Sequence, residues 1–350
     1  AISRRPCPLI PYCRTHSDTP PEDGTSLWTG QVFAILTVCC LTKAGINIVS
    51  LNLIVLAKQV PDTRNVTGET MKEDGTVNRQ ALPAIFNPDD LCALELALSV
   101  RDLYGGTVTI MSMGPPRAME ILRDALCRGA DRAILLSDRL FAAADTLATS
   151  YTLAKAIRKL GMPDIVFCGR QAIDGDTAQV GPQVAEKLHI PQATYVKEAR
   201  LEDGHLRVTK DVENGYEILR IPMPALLTVT AGIQPRPPAV KRLLKYKRVK
   251  TIFDLQSELK EKYPDLSKEE LDRKVEEETR ALAERDLLIP VWTAEDIGAH
   301  PERIGLKGSP TRVKKVEGVI LRGGESKIIP ATEAGIASLV QELKAGHILS

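Results

Sequence analysis

The chain has 350 residues, with 46 Lys and Arg against 45 Asp and Glu, for a formal net charge of +1. That length holds one large or two modest domains, and a hydrophobic content of 43% is ordinary for a soluble protein with a real core. The near-neutral balance gives no field toward nucleic acid or anionic lipid, which leaves a small molecule or another protein as the partner.

Residues 1–50 do not fit the remainder. They hold four of the seven Cys, several Pro and one apolar run, Val32 to Thr42, which is too short for a bilayer that needs about twenty residues. Arg4 and Arg5 lie far upstream of that run and no clean Ala-x-Ala follows it, so translated upstream sequence is the expectation here, ahead of a signal peptide. The seven Cys show neither CxxC nor Cys/His ligand spacing, which reads as reduced thiols in a cytoplasmic protein.

From Leu51 onward short β-branched runs alternate with helical patterns, the mark of a parallel sheet covered on both faces. The expected first strand is Asn52 to Lys58, followed by a polar excursion with a turn at Asp74-Gly75. Asn87, Pro88, Asp89 and Asp90 open a helix as a cap residue, a first-turn proline and two acids at the positive end of the dipole, and Gly105-Gly106 stops it. Strand Thr107 to Ser112, helix Ala118 to Cys127, strand Ala133 to Leu136 and helix Asp145 to Leu160 follow in turn. The next strand, Asp164 to Cys168, runs into Gly169-Arg170-Gln171-Ala172-Ile173-Asp174-Gly175-Asp176-Thr177-Ala178-Gln179-Val180-Gly181-Pro182.

This run is a cradle by its chemistry. Small and acidic residues lead into a helix whose first amides lack partners, and its two carboxylates can take ribose hydroxyls or cap the helix. The loops at Lys58, at Met113-Gly114 and at Gly169 to Val180 all follow strand ends, where open α/β sheets bind ligands. Cys168, at the strand end, reads as a small buried hydrophobe rather than a redox thiol.

Beyond the cradle, turns at Asp203-Gly204 and Asn214-Gly215 and the apolar run Ala225 to Val229 suggest an antiparallel addition to the sheet. Pro235, Pro237 and Pro238 then stiffen an arm expected to leave the domain, and basic Lys241 to Lys250 reads as a solvated face or partner contact. Ser267 to Glu270 is a capping box for a charged helix to about Glu284, Trp292 to Glu325 shows no pattern, and Ile336, Leu339, Val340 and Leu343 share one face of a last helix, Ala331 to Ala345, expected to dock on its own domain. The organisation expected is 1–50 as an extension, 51–232 as the nucleotide-binding domain and 233–350 as an arm with a helical extension that contacts a partner.

Two segments resemble a known family. Asp174-Gly175-Asp176-Thr177-Ala178-Gln179-Val180-Gly181-Pro182, with Val208 to Glu217 continuing through Pro224 to Thr228, is similar to the small (beta) subunit of electron transfer flavoproteins from Leu51 to Leu349. Asn214 departs from the residue usual there, but Asn-Gly is a preferred hairpin pair. The resemblance implies a Rossmann-like parallel sheet of the adenine-nucleotide α-hydrolase type, and a heterodimer with the large (alpha) subunit. It further implies transfer to or from a dehydrogenase or a membrane-associated quinone or iron-sulfur oxidoreductase. Ordinary members hold AMP in the small subunit; bifurcating members hold FAD there and take electrons from NADH. The Asp-Gly-Asp-Thr-Ala-Gln run is similar to the FAD branch.

Carried over residue by residue, the resemblance assigns the nucleotide to Leu56, Ala57, Asn87, Pro88, Asp89, Asp90, Met113, Ala172, Ile173, Asp174, Gly175, Asp176, Thr177, Ala178, Gln179, Val180, Gly181, Pro182 and Gln183. The recognition arm keeps Pro235-Arg236 but is shorter and less apolar than in members that dock on acyl-CoA dehydrogenases, which points to a different partner. No nucleophile elbow, P-loop or His-Glu-x-x-His is present, so redox chemistry belongs to the flavin. The rival readings are a stand-alone adenine-nucleotide module, which would carry a Gly-rich loop that Lys58-Gln59-Val60-Pro61 lacks, and a structural subunit with an empty cleft.

Overall fold

An uninterrupted apolar run, Leu51–Leu56 (β1), lies at the middle of the main sheet with five of its six residues buried, because helices cover both faces of a parallel strand. The structure is a computed structural model that describes residues 50–62, 83–311, 327–346 and 348–349. The expectations for residues 1–49 and for the Asp74-Gly75 turn lie outside the described residues.

Two short strands, Gln59–Pro61 (β2) and Ala84–Phe86 (β3), pair antiparallel beside the main sheet. Helix Pro88–Tyr104 (α1) leads to Gly106–Met113 (β4), and Met119–Arg128 (α2) to Arg132–Leu136 (β5). Thr146–Leu160 (α3) then leads to Ile165–Gly169 (β6), which is followed by Val180–Leu188 (α4). Four strands come next: Gln192–Glu202 (β7), His205–Val212 (β8), Gly215–Pro222 (β9) and Ala225–Val229 (β10). The described C-terminal part adds Val240–Tyr246 (α5), Ile252–Lys262 (α6), Lys268–Glu284 (α7), Val291–Trp292 (β11) and Glu333–Ala345 (α8).

Among the described residues the main sheet has nine strands in the order β11-β5-β4-β1-β6-β10-β7-β8-β9, parallel from β11 to β7 and antiparallel through β8 and β9. Alternate residues of β1 face opposite layers: Leu53 and Val55 pack with α1 and α2, while Ile54 and Leu56 pack with α3 and α4. Burying side chains such as Leu53, Ile110 and Phe167 contributes about 1.5–3 kcal/mol each. This is the expected α/β fold.

Three details differ from expectation. Ala225–Val229 is not part of the antiparallel addition; it inserts parallel between β6 and β7, and all five of its residues are buried, as a strand covered on both faces requires. The proline arm does not leave the domain. The Arg236 guanidinium binds Glu95 of α1 at 2.9 Å and Asp102 at 2.8 Å, its carbonyl accepts from Arg128 at 2.7 Å, and the Ala239 amide donates to the Cys127 carbonyl at 3.0 Å. The last helix exposes its stripe, with Ile336 at 59% and Val340 at 38%, so own-domain docking is not what these residues do. Apart from these three, Val291–Trp292, just where the unpatterned stretch from Trp292 begins, forms β11 and widens the sheet beyond β5.

Candidate functional site

The strand order reverses at β1: the chain moves outward through β4 and β5, then returns to lay β6 on β1's other side. Loops leaving β1 and β6 therefore part to opposite faces, and a crevice opens between them at the carboxyl ends. The side chains that cross it are Lys58, just after β1, and Asp174, in the loop after β6. The Lys58 ammonium lies 2.7 Å from one carboxylate oxygen and 2.8 Å from the other. Lys58 is half exposed and Asp174 largely covered.

Beneath this pair, the start of α1 fastens both strand ends. Asp90 accepts the Lys58 amide on one oxygen and the Gly169 amide on the other, each at 2.8 Å. Burial pushes its carboxyl up to about 7, outweighing the two amides and an Asn87 contact that favour the charged form. Asn87 is fully buried; its side chain donates to the Gln171 carbonyl at 2.8 Å and accepts the Ile173 amide at 3.2 Å. It makes no side-chain cap bond, which corrects its expected role as helix cap. Asp89 is buried, and burial holds its carboxyl above the usual range, partly offset by Arg170, whose guanidinium is 3.6 Å away. Among the described residues these three polar groups spend their capacity on this chain's own backbone and Arg170.

The loop above them turns on itself. The Asp176 amide donates to the Ala172 carbonyl at 2.9 Å, and Asp176 and Ala178 sit in the left-handed region with φ of 49° and 52°. Neither Asp174 nor Asp176 caps α4: the first binds Lys58, the second accepts from the Gln171 side chain at 2.9 Å, and the cap residue Gln179 makes no side-chain cap bond. Among the described residues the first amides of α4 are thus left without a side-chain acceptor, with the positive end of the helix dipole beside them. Gly175 opens onto free space, with no atom within 4 Å of where a Cβ would lie, whereas a Cβ on Gly181 would stand 2.8 Å from Cys168 Sγ and from Thr228 Cγ2. One glycine leaves room above the loop; the other seats the helix on the sheet.

The structure gathers the expected residues at one end of the sheet but at different depths. Leu56 ends β1 and Ala57 follows it, both buried, Pro88 begins α1, and Met113 ends β4, the strand next to β1. Ala172, Ile173 and Asp174 are partly covered, Gly175, Asp176 and Thr177 exposed. Gln179 accepts from the Thr146 hydroxyl at 2.9 Å and Gln183 from the Ser150 hydroxyl at 3.0 Å, which ties α4 to α3. Val180 and Pro182 complete the first turn of α4.

Lys58, Arg170 and Gln171 lie at the same crevice; the expected strand-end loops contain them, but the residue-by-residue assignment leaves them out. A lysine immediately after a first buried strand was the available signal. Cys168 is buried and its thiol is pushed far up by burial and by Asp90, as expected of a packing residue. Among the described residues no cluster of His, Cys, Asp or Glu is placed to hold a metal, and no helix is long and apolar enough to cross a membrane.

The fold is that of an open, doubly wound α/β protein, with a crevice at the switch point between β1 and β6, where such sheets characteristically bind ligands. The profile described as "Electron transfer flavoprotein domain" matches residues 74–250. The chain is 42% identical over 299 residues to the electron transfer flavoprotein subunit beta of Clostridium acetobutylicum, an alignment that covers 85% of this chain and all of that protein. It is 41% identical over 302 residues to the caffeyl-CoA reductase-Etf complex subunit CarD of Acetobacterium woodii, with 85% and 100% covered. Protein FixA of Azorhizobium caulinodans is 37% identical over 303 residues, with 84% and 94% covered. The chain belongs to the electron transfer flavoprotein family.

Proposed function

We propose that this chain is the small subunit of an electron transfer flavoprotein heterodimer and that its crevice holds the adenine-nucleotide part of FAD. The observation that carries the reading is the Lys58–Asp174 pair across the switch-point crevice, roofed by a loop with free space above Gly175 and followed by a helix start that no side chain of the described residues caps. A dinucleotide fits this donor set. Lys58 and the first amides of α4 suit the phosphates, Asp174 and Asp176 suit ribose hydroxyls, and Gly175 leaves the backbone open to close approach. Gly175 also stands where a third acid would repel a pyrophosphate.

When bound, the flavin supplies the redox chemistry that no side chain here offers. The chain's own work is to bind and orient. Asp90 and Asn87 hold the loop, Lys58 offsets phosphate charge, and the layered sheet keeps the loop rigid. The exposed apolar stripe of Ile336, Leu339 and Val340 suits the large subunit. Among family members, FAD in the small subunit goes with electron bifurcation from NADH, which makes NADH-dependent ferredoxin reduction the follow-up assay.

The test is a cofactor count. The chain is co-expressed with its large subunit, the purified complex denatured, and released FAD and AMP quantified by chromatography. Two FAD and no AMP are expected, falling toward one FAD in Asp174→Ala and Thr177→Ala. One FAD with one AMP overturns the FAD assignment, and full occupancy in both variants overturns the cradle.

A further inference from the structure

We infer that the concave pocket between α3 and α4, roofed by His300 to Arg303, binds a small, multiply charged anion of the phosphate type, at a site separate from the nucleotide crevice. The cavity encloses about 430 Å³ and gathers Lys155, Arg158, Lys187 and Arg303 against a single carboxylate, Glu186. Four cations less one anion leave three positive charges in one depression, with the histidines counted neutral. No salt bridge of the described residues takes up any of the four.

The pocket is braced rather than a loose patch of surface lysines. The buried Tyr151 ring forms its floor, and the Arg303 guanidinium stacks over that ring 4.2 Å from its centre. The Tyr151 hydroxyl accepts the His300 amide at 3.3 Å, which fixes the roof to the floor. Arg158 donates to the Lys187 carbonyl and so anchors the end of α4. The Lys155 ammonium also lies over that ring, 6.0 Å from its centre.

Part of this charge has a local explanation, since Arg158 and Lys187 stand in last turns, where the helix dipole favours cations. A dipole end supplies only about half a charge. Lys155, before its helix's last turn, and Arg303, on the roof, lie beyond that account. The Lys187 ammonium is held below its ordinary range, first by burial and then by Arg303, which Glu186 and Asp145 only partly offset. An open depression of this volume is in the range that small ligands occupy, and clustered Arg and Lys match phosphate oxygens by charge and fork geometry.

The probe is inorganic pyrophosphate, titrated by calorimetry into the purified heterodimer with its nucleotide in place, with citrate as the charge-matched comparison. Saturable binding is expected, weakened about tenfold or more in Lys187→Gln/Arg303→Gln and to a smaller degree in Lys155→Gln, and unchanged in Asp174→Ala. Cofactor content should be the same in the pocket variants as in the parent, which also reports that they fold. Failure of pyrophosphate to bind, equal binding by the double variant, or equal affinity for citrate overturns the assignment. Binding to the isolated subunit that vanishes in the heterodimer also overturns it, because the partner then fills the pocket. Loss in Asp174→Ala instead would place the pyrophosphate in the crevice.

Discussion

Two acidic segments meet at the carboxyl end of the sheet, and the structure uses them in opposite ways. Asn87, Asp89 and Asp90 are buried, with their carboxylates and amide spent on this chain's backbone and Arg170; Asp174-Gly175-Asp176-Thr177 is partly to fully exposed and faces the crevice. Both look alike in the sequence: small, polar, acidic and at the mouth of a helix. The difference is depth. The first segment starts a helix that packs across β1 and β6, so its side chains reach down to the strand ends, while the second forms the loop laid above it. The lower segment sets the shape, and the upper one, whose carboxylates are tied to the side chains of Lys58 and Gln171, is the one open to solvent.

That division breaks most visibly with pH. Asp90 is fully enclosed and its carboxyl is raised from 3.8 to about 7. The native state therefore keeps a proton that the unfolded chain releases, and stability from this group falls as pH rises from about 4 to about 7. The shift of about three units corresponds to something on the order of 4 kcal/mol. Chemical denaturation of the parent and of Asp90→Asn between pH 5 and 8 should show this slope in the parent and lose it in the variant. Equal slopes would mean that Asp90 stays ionised and that the two amides outweigh its burial.

A smaller but still large loss is expected from Asn87→Ala. Removing the side chain leaves the Gln171 carbonyl and the Ile173 amide without their partner under the loop, each about 1–3 kcal/mol when buried. A drop of roughly 3 kcal/mol in unfolding free energy should accompany loss of nucleotide, because the loop loses its seat. If stability falls while nucleotide occupancy holds, the loop keeps its shape without Asn87, and the distinction between support and contact fails.

How much of this was legible in the sequence depended on the range of each interaction. Signals within a few residues were readable: the Ser267–Glu270 box forms both of its bonds, and the helix expected from Asp145 starts there, with Asp145 as its cap. Asn87 carries the same kind of cap signal, yet its side chain binds residues more than 80 positions away, and no local pattern reports that. The run Ala225 to Val229 was readable as a strand but not as a parallel one, since only the neighbours β6 and β7 decide its direction. The proline arm looked rigid and therefore projecting; Glu95 and Asp102, far off on α1, draw it back. The crevice itself was legible because strand-end loops follow from element order alone, but Lys58 gained its role only when β6 was laid beside β1.

The smallest expected structural effect tests the upper segment most directly. A methyl on Gly175 meets no atom within 4 Å, and the loop's positive φ values fall on Asp176 and Ala178, not here. Gly175→Ala should thus leave unfolding free energy within about 0.5 kcal/mol of the parent, as substitutions away from packed features do. A ligand backbone or phosphate lying against that open face would nevertheless meet the new methyl, so nucleotide retained after gel filtration should fall while stability stays level. The same separation is expected for Lys58→Ala, whose partly exposed ion pair contributes about 0–1 kcal/mol to folding. Unchanged occupancy in both would move the nucleotide off this loop, whereas loss in Gly175→Ala alone would place the close approach at the backbone and reduce Lys58 to a screen for Asp174.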